Sequence, residues 1–121
     1  MSGRKVLVVE DSPTEMGIAV AALRQRGYQI VTAEDGEEAL AKMEHERPDL
    51  VVLDVVLPKK NGFQVCREIK TSANWKSIPV ILLTSKTQES DRFWGMKQGA
   101  DEYLTKPYQD SELLAAVARR I

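Results

Sequence analysis

Five short apolar runs alternate with five helix-like segments along this chain of 121 residues, and no other feature constrains its fold as strongly. Runs that are apolar throughout are typical of parallel strands covered on both faces, and strands that alternate with helices form βαβ units with right-handed crossovers. The first, third and fourth runs are the most apolar, which favours the sheet centre, and the other two are typical of edges. The sequence therefore predicts an α/β fold with a doubly wound parallel sheet of five strands. These strands are Lys5–Val9, Gln29–Ala33, Leu50–Asp54, Pro79–Thr84 and Glu102–Thr105.

Capping and turn residues mark the five predicted helices. Ser12-Pro13-Thr14-Glu15 has the pattern of a capping box with proline at the first helical position, so the first helix starts there. The second helix is expected to open at Asp35-Gly36-Glu37-Glu38, and the third after Asn61-Gly62. The fourth is predicted from about Thr87 to Gln98, and the fifth is predicted to have Asp110 as its cap.

The composition limits the size and the class of the protein. A chain of 121 residues with 43% hydrophobic residues fits one domain over residues 1–121, and we expect no output domain. The net charge of −1 gives no support to binding of nucleic acid or of an anionic membrane. The N-terminal apolar run is too short for a signal peptide or a spanning helix, so we expect a cytoplasmic location. The single cysteine, Cys66, excludes an internal disulfide, and the single histidine, His45, excludes a zinc site with several His or Cys ligands.

Polar side chains stand at the ends of four predicted strands. Glu10 and Asp11 follow the first strand, Asp54 ends the third, Thr84 ends the fourth and Lys106 follows the fifth. In an open parallel sheet, ligands bind in the crevice at the carboxyl ends of the strands. Carboxylates gathered there repel one another unless a cation joins them, and a hydroxyl and an ammonium beside them suit an anionic group. These residues therefore predict a phosphoryl-transfer site with a metal ion.

Four segments resemble, in the same order, the receiver domain of bacterial two-component response regulators, in particular the stand-alone, CheY-like chemotaxis type. They are VVEDS at the first strand end, LDVVLPKKNG around Asp54, LLTS ending at Ser85 and YLTKP ending at Pro107, and the likeness covers essentially the whole chain. The resemblance implies a flavodoxin-like sheet of order 2-1-3-4-5 with five helices. It also implies a signalling protein rather than an enzyme, which takes a phosphoryl group from a histidine kinase and binds a downstream protein target.

The resemblance also implies roles for individual residues. Asp54 matches the phosphoacceptor, and a carboxylate can attack phosphorus to form an aspartyl phosphate. Mg²⁺, which prefers oxygen ligands, would be bound directly by Asp11, Asp54 and the backbone carbonyl of Val56. Glu10 would act on the ion through water. Lys106 matches the residue that neutralises a phosphoryl oxygen, and without phosphate we expect it to pair with Asp54.

A second group of residues matches the parts of the family that transmit the signal. Thr84 would donate to a phosphoryl oxygen and vacate space for the ring of Tyr103, so these two residues form the predicted switch. The Lys106-Pro107 peptide bond matches one that is cis in the family. The protein would act through helix 4, strand 5 and helix 5, as a monomer or as a weak dimer. The predicted output-face residues are Lys86, Phe93, Trp94, Tyr103 and Tyr108.

Two positions depart from the flagellar chemotaxis pattern. Val56 stands where that pattern has an amide, and Lys86 stands where it has an acid. Both flank the route of the water that would attack the phosphorylated aspartate, so the lifetime of that state is left open. The segments SPTEM and FWGMKQGADEYLTKP are most similar to receivers of type IV pilus chemotaxis-like systems, which points to surface motility.

Three other classes of protein can be weighed against the same residues. A phosphatase of the haloacid dehalogenase type needs a general acid two residues after its nucleophile, where Val56 cannot transfer a proton. An FMN carrier needs a phosphate-binding loop after the first strand, where Glu10 and Asp11 would repel phosphate. A degenerate receiver that binds proteins without phosphorylation is the remaining alternative, and the presence of Asp54 with all its partners argues against it.

Overall fold

The structure, a computed structural model, describes residues 3–121 as five strands and five helices in strict alternation. The strands are β1 (Lys5–Val9), β2 (Gln29–Ala33), β3 (Leu50–Leu53), β4 (Val80–Thr84) and β5 (Glu102–Thr105). The helices are α1 (Pro13–Arg24), α2 (Gly36–Glu46), α3 (Gly62–Thr71), α4 (Glu89–Lys97) and α5 (Asp110–Arg120). Within residues 3–121, no helix has both the length and the apolar character needed to cross a bilayer.

All neighbouring strands are parallel, and the sheet order β2-β1-β3-β4-β5 confirms the prediction. The central strands β1, β3 and β4 are buried along almost their whole length, whereas β2 at one edge is largely accessible. The register aligns the strand ends, because Val9 lies opposite both Ala33 and Leu53, and Thr84 lies opposite Thr105. The loops after the central strands and β5 therefore open at one edge of the sheet.

Alternate side chains of the central strands pack into two separate cores, one on each face of the sheet. On one face Leu53 and Leu82 pack in a core with Ile69 of α3, and residues of α2 join it. On the other face Val8 and Ile81 pack in a core built with α1 and α5. Burial of one large aliphatic side chain stabilises a fold by roughly 1.5–3 kcal/mol relative to exposure, so these two cores hold the strand ends in place.

Two strand ends differ from the predicted bounds because hydrogen bonding, rather than apolar character, decides them. β3 ends at Leu53 and not at Asp54, since the Asp54 carboxylate accepts the backbone N–H of the next residue, Val55, at 2.7 Å and the chain turns out of the ladder. β4 begins at Val80 and not at Pro79, because proline has no N–H to donate to a neighbouring strand.

Helix α4 is shorter than predicted at both ends. It spans Glu89–Lys97, whereas the sequence pattern predicted a helix from about Thr87 to Gln98. Its N-cap is Gln88, whose backbone N–H donates to the carboxylate of Asp91 at 3.2 Å. A carboxylate three residues after the cap satisfies one of the free N–H groups at the helix start, and this bond places the cap later than the sequence pattern suggested.

The predicted cap of helix α5 is wrong by one residue. Its N-cap is Gln109, and Asp110 is the first helical residue. The backbone N–H of Gln109 donates to the Glu112 carboxylate at 2.7 Å, so the acid three residues after the cap again decides the start. The helix packs on the sheet through Leu113 and Val117, which are fully buried.

Candidate functional site

Asp54 lies in the loop directly after β3 and is 7% exposed. Its Oδ1 accepts hydrogen bonds from the backbone N–H groups of Val55 and Val56 at 2.7 and 3.3 Å. Its Oδ2 accepts one from the Lys106 ammonium at 3.1 Å, which is the pairing expected without phosphate. Gly62 packs closely against the same loop, since a Cβ there would lie 2.0 Å from the Asp54 carbonyl oxygen. Both oxygens of the carboxylate and the backbone beneath it are therefore held in one geometry.

Glu10, the residue after β1, is buried beside Asp54. Its Oε1 accepts a hydrogen bond from Lys106 at 2.6 Å, and its Oε2 accepts one from the backbone N–H of Ser12 at 3.1 Å. Burial raises the pKa of the Glu10 carboxyl above its ordinary value; the bonds from Lys106 and Ser12 oppose this rise, and the charge of Asp54 adds to it. The site thus holds a carboxylate whose charge its hydrogen bonds do not fully compensate, which favours a nearby cation.

Lys106, the residue after β5, is the positive centre of the site. Its ammonium donates to the carboxylates of Glu10, Asp54 and Glu15. Burial lowers the pKa of Lys106, but the hydrogen bonds to Glu10 and Glu15 and the charge of Asp54 outweigh it, so the pKa lies above its ordinary value. The ammonium is therefore charged at neutral pH. The Lys106–Pro107 peptide bond, the predicted cis candidate, is cis.

Three carboxylates form a set that could hold a metal ion. Glu10, Asp11 and Asp54 each offer one oxygen, and these three atoms lie within 4.8 Å of one another. Within residues 3–121, neither the exposed Asp11 carboxylate nor the Val56 carbonyl is bonded to a donor, so both are available as ligands. A donor set made only of oxygen atoms suits a hard cation such as Mg²⁺, and the residues present therefore fit the predicted ion.

Glu15, in the first turn of α1, is a site residue that the sequence analysis missed. The capping pattern assigned its carboxylate to the backbone N–H of Ser12, but that N–H donates to Glu10 instead. Ser12 is still the cap, since its hydroxyl oxygen accepts the backbone N–H of Glu15 at 3.3 Å. The Glu15 carboxylate is left free to reach Lys106. Glu15 could have been identified from its position in the sequence, because it lies in the first turn of the helix that starts at the site.

Thr84 and Tyr103, the two residues of the predicted switch, are connected through the exposed Lys86. The fully buried Thr84 accepts the backbone N–H of Lys86 on its Oγ1 at 3.3 Å, and the Tyr103 hydroxyl donates to the Lys86 carbonyl at 2.7 Å. Arg92 of α4 lies over the Tyr103 ring, with its guanidinium carbon 5.1 Å from the centroid, and also donates to the Tyr103 carbonyl at 3.2 Å. The ring is buried, and this burial raises the pKa of the Tyr103 phenol.

The predicted output face contains both exposed and buried members. Phe93 and Trp94 of α4 are 64% and 51% exposed, and Met96 beside them is 44% exposed. Adjacent side chains on a helix point to different sides. Since Phe93 and Trp94 are both exposed, no other element of the described residues covers either of these two sides of α4. Tyr103 is buried and Tyr108 is half-buried against the core next to α5. Within the predicted output face, the accessible apolar surface is therefore concentrated on α4.

The remaining candidate reactive residues lie away from the strand ends. Cys66 is fully buried in α3, and burial raises the pKa of its thiol to about 12. His45 is exposed in the last turn of α2. Cys66 is therefore a core residue, and neither a thiol nor an imidazole takes part in the site.

Comparison with known proteins places this geometry in one family. The family model described as the response regulator receiver domain matches residues 6–118. Protein PilH of Pseudomonas aeruginosa is 44% identical over 113 residues, which cover 93% of this chain and 93% of that protein. Chemotaxis response regulator CheY4 of Vibrio cholerae is 32% identical with a TM-score of 0.91 and coverage of 99% of this chain and 100% of that one. The receiver domain of sensor histidine kinase PA1611 from Pseudomonas aeruginosa, solved with a magnesium ion in its active-site cleft, is 33% identical with a TM-score of 0.90 over 98% of both chains.

Proposed function

Because this chain belongs to the response regulator receiver family of two-component signalling, we propose that Asp54 accepts a phosphoryl group from a histidine kinase and that the phosphorylated form binds a downstream protein. The observation that carries the proposal is the environment of Asp54. Its carboxylate is buried, its Oδ1 is held by two backbone N–H groups, and its Oδ2 lies beside the Lys106 ammonium. A nucleophilic carboxylate held in this way needs little further ordering before it reacts.

In the proposed reaction a carboxylate oxygen of Asp54 attacks the phosphorus of a phosphohistidine on the kinase. A P–O bond forms to Asp54, the P–N bond breaks, and the released imidazole nitrogen takes up a proton. Lys106 stays close to the transferred group and neutralises one of its oxygens. In this structure the Thr84 hydroxyl oxygen accepts the Lys86 N–H at 3.3 Å. In the phosphorylated form the hydroxyl leaves this N–H and donates to another phosphoryl oxygen.

The proposed cofactor is Mg²⁺. Asp11, Asp54 and the Val56 carbonyl would hold it directly and Glu10 would hold it through water, in agreement with the oxygen ligands available at the strand ends. When bound, the ion supplies positive charge that neutralises the carboxylates and the incoming phosphoryl oxygens. The PA1611 receiver domain, solved with a magnesium ion coordinated in its active-site cleft, supports this proposal.

The proposed output begins at Thr84. A phosphoryl group adds roughly −1.5 to −2 charges at neutral pH, and the Thr84 hydroxyl follows that charge. Its departure releases the backbone N–H of Lys86, the residue whose carbonyl accepts the Tyr103 hydroxyl. The packing of Tyr103 against α4 then changes, and with it the face formed by α4, β5 and α5. A coupling of about 1–3 kcal/mol between the two sites would change partner affinity about 5- to 150-fold.

The segments SPTEM and FWGMKQGADEYLTKP, which resemble receivers of type IV pilus chemotaxis-like systems, and the similarity to Protein PilH support a role in surface motility. Val56, 56% exposed, and Lys86, also exposed, flank the acceptor where the flagellar chemotaxis pattern has an amide and an acid. They are the residues that would set the lifetime of the aspartyl phosphate. The other candidate, a receiver that binds its partner without phosphorylation, is separated by the experiment below.

A small phosphodonor with Mg²⁺ tests the acceptor directly. The wild-type protein should gain the mass of one phosphoryl group in intact-mass spectra, and Asp54→Asn should gain none because its amide is a poor nucleophile. Asp110→Asn, an exposed aspartate of the α5 first turn, is the matched control and should be labelled like wild type. Full labelling of Asp54→Asn would disprove the assignment, and an unlabelled wild type would favour the phosphorylation-independent alternative.

Thermal melting with and without Mg²⁺ tests the metal ligands. An ion that binds only the folded state at ten times its Kd stabilises it by about 1.4 kcal/mol. We expect a gain of this order for wild type, the same gain for the Asp110→Asn control, and a much smaller one for Asp11→Asn. An equal gain in Asp11→Asn would show that Asp11 is not a ligand.

A further inference from the structure

Glu15 is the one carboxylate around Lys106 to which neither the acceptor nor the metal proposal gives a role. Three carboxylates share the Lys106 ammonium, and their environments differ. The side chains of Glu10 and Asp54 are 7% and 8% exposed, whereas that of Glu15 is 47% exposed. A lysine ammonium has three N–H donors, so these three acceptors engage all of them in this structure.

The contact of Glu15 with Lys106 follows from the way helix α1 is capped. In a capping box, the Glu15 carboxylate would accept the backbone N–H of Ser12. Glu10 accepts that N–H instead, at 3.1 Å. Since Ser12 caps the helix with its own hydroxyl, Glu15 is not needed for the cap and its carboxylate is free to contact the ammonium.

The same contact lies in the wall of a cleft of about 410 Å³ between α1 and the loop that leads from β5 to α5. Among the residues that line this cleft, Glu15 carries the one negative charge and Lys106 the one positive charge. A phosphoryl group that approaches Lys106 through this cleft therefore also faces the Glu15 carboxylate. The cleft lining consists of Glu15, Ile18, Ser85, Lys106, Pro107 and Tyr108.

We propose that Glu15 is a positioning residue that competes with a phosphoryl group for the Lys106 ammonium, and that its charge weakens phosphoryl binding at Asp54. This inference rests on the proposed function. For Lys106 to donate to a phosphoryl oxygen, one of its present acceptors must give way. Release of the buried Glu10 removes the ammonium that balances its charge, which is strongly unfavourable, whereas an exposed carboxylate such as Glu15 is stabilised by water and is released at low cost. Of these two glutamates, Glu15 is thus the acceptor that is exchanged.

Beryllofluoride with Mg²⁺, a non-covalent stand-in for the phosphoryl group, tests this inference by amide NMR titration. Glu15→Gln should bind the probe about two- to fivefold more tightly than wild type, the range that corresponds to one exposed ion pair. The difference should shrink as salt is added, because both the pair and the repulsion of the probe are screened. Glu15→Asp, which keeps the charge, should stay close to wild type. The matched control is Glu37→Gln, since Glu37 is an exposed glutamate in the first turn of α2 that forms no ion pair within residues 3–121.

The ¹⁵Nζ resonance of Lys106 gives a readout that a merely structural role would leave unchanged. Without the probe, Glu15→Gln should shift this resonance and speed the exchange of its protons with water, while Glu37→Gln should not. If wild type binds beryllofluoride and Glu15→Gln binds it no more tightly, the inference about Glu15 is wrong and the proposed function stands. If wild type itself does not bind the probe, the proposed function fails, and the inference fails with it.

Discussion

Helices α3 and α4 follow neighbouring strands of the sheet, and they are attached to it in opposite ways. α3 buries an apolar stripe of three side chains, Val65, Cys66 and Ile69, all with no exposed surface. Its first residue, Gly62, packs against the loop that carries Asp54, and the Gly62 N–H donates to the Val55 carbonyl at 2.8 Å. The helix that follows the acceptor is therefore part of the core.

In α4, by contrast, Gly95 is the one residue that is fully packed. The large apolar side chains of this helix point to solvent, and a polar contact of Arg92 with β5 replaces the missing apolar stripe. Segments with few buried apolar contacts open at lower free energy than the core. The acceptor loop is therefore packed against a rigid helix, whereas the proposed output face lies on a helix that can shift at low cost.

The largest expected contrast between the two helices is in thiol reactivity. Burial raises the pKa of Cys66 in α3 from an ordinary 9.0 to about 12, so at pH 8 its thiolate fraction is about a thousandfold lower than that of an accessible cysteine. A disulfide reagent should therefore label native wild type very slowly. Met96→Cys in a Cys66→Ala background places the thiol on exposed α4 and should react at the rate of a free cysteine. Similar native rates for the two thiols would contradict the contrast, and both should react equally fast after unfolding in urea.

Substitution of Gly62 should give the largest loss of stability. An added Cβ would lie 2.0 Å from the Asp54 carbonyl oxygen and 2.7 Å from the Val55 Cα, and backbone atoms in a packed core cannot move aside cheaply. We expect Gly62→Ala to lower the free energy of unfolding by about 3 kcal/mol or more, measured by urea denaturation. Gly17→Ala in α1 is the control, since nothing lies within 4 Å of its added Cβ, and it should stabilise by about 0.5–1 kcal/mol. A mild effect of Gly62→Ala would show that the acceptor loop is not held rigidly.

In α4, the equivalent substitution Gly95→Ala should cause a smaller loss of stability than Gly62→Ala. A Cβ on Gly95 would come within 2.8 Å of a Leu82 methyl group and 3.0 Å of the Tyr103 ring, which are side-chain atoms. Because α4 has no other fully buried residue, it can move outward, and we expect Gly95→Ala to cost about 1–2 kcal/mol. Amide shifts should spread along α4 without reaching α3. A loss as large as that of Gly62→Ala would mean that the two helices are held equally tightly.

The smallest loss of stability is expected when the Tyr103 hydroxyl, which connects β5 to the loop before α4, is removed. Tyr103→Phe removes the donor of the 2.7 Å hydrogen bond to the Lys86 carbonyl and should cost about 0.5–1.5 kcal/mol. Tyr28→Phe is the matched control, since the Tyr28 hydroxyl makes no hydrogen bond within residues 3–121. If Tyr103→Phe also leaves the response of α4 to phosphorylation unchanged, the link from Thr84 through Lys86 is not the route of the signal.

Most of the fold could be predicted from the sequence because its signals are local. Apolar runs and cap residues define each element, and in a parallel sheet the residues that follow the strands must meet at one edge. This reasoning predicts that Glu10, Asp54 and Lys106 meet, although Glu10 and Lys106 are 96 residues apart in the chain. In the structure the Lys106 ammonium lies within hydrogen-bonding distance of both carboxylates. The errors of one residue at β3, β4 and α5, and of one or two residues at the ends of α4, arise where a side chain or a proline, rather than apolar character, decides where the hydrogen bonding of the element begins or ends.

The contacts that sequence reasoning could not supply depend on competition between partners. Glu15 was assigned to the helix cap, and only the geometry shows that Glu10 accepts the Ser12 N–H and leaves Glu15 to Lys106. The Tyr103 hydroxyl could have pointed to water, and its bond to the Lys86 carbonyl depends on the position of the β4–α4 loop. Such choices are decided by distances between elements, which spacing along the chain does not determine.

A comparison of amide NMR spectra with and without beryllofluoride and Mg²⁺ tests directly whether the signal leaves through α4. We expect shifts at the Asp54 loop, over residues 84–99 and over residues 102–108, with α3 beyond its first turn almost unchanged. Asp54→Asn should show none of these shifts. If the shifts of wild type instead stay within the Asp54 loop and α1, or if α3 responds as strongly as α4, then the signal does not leave through the loosely packed helix α4.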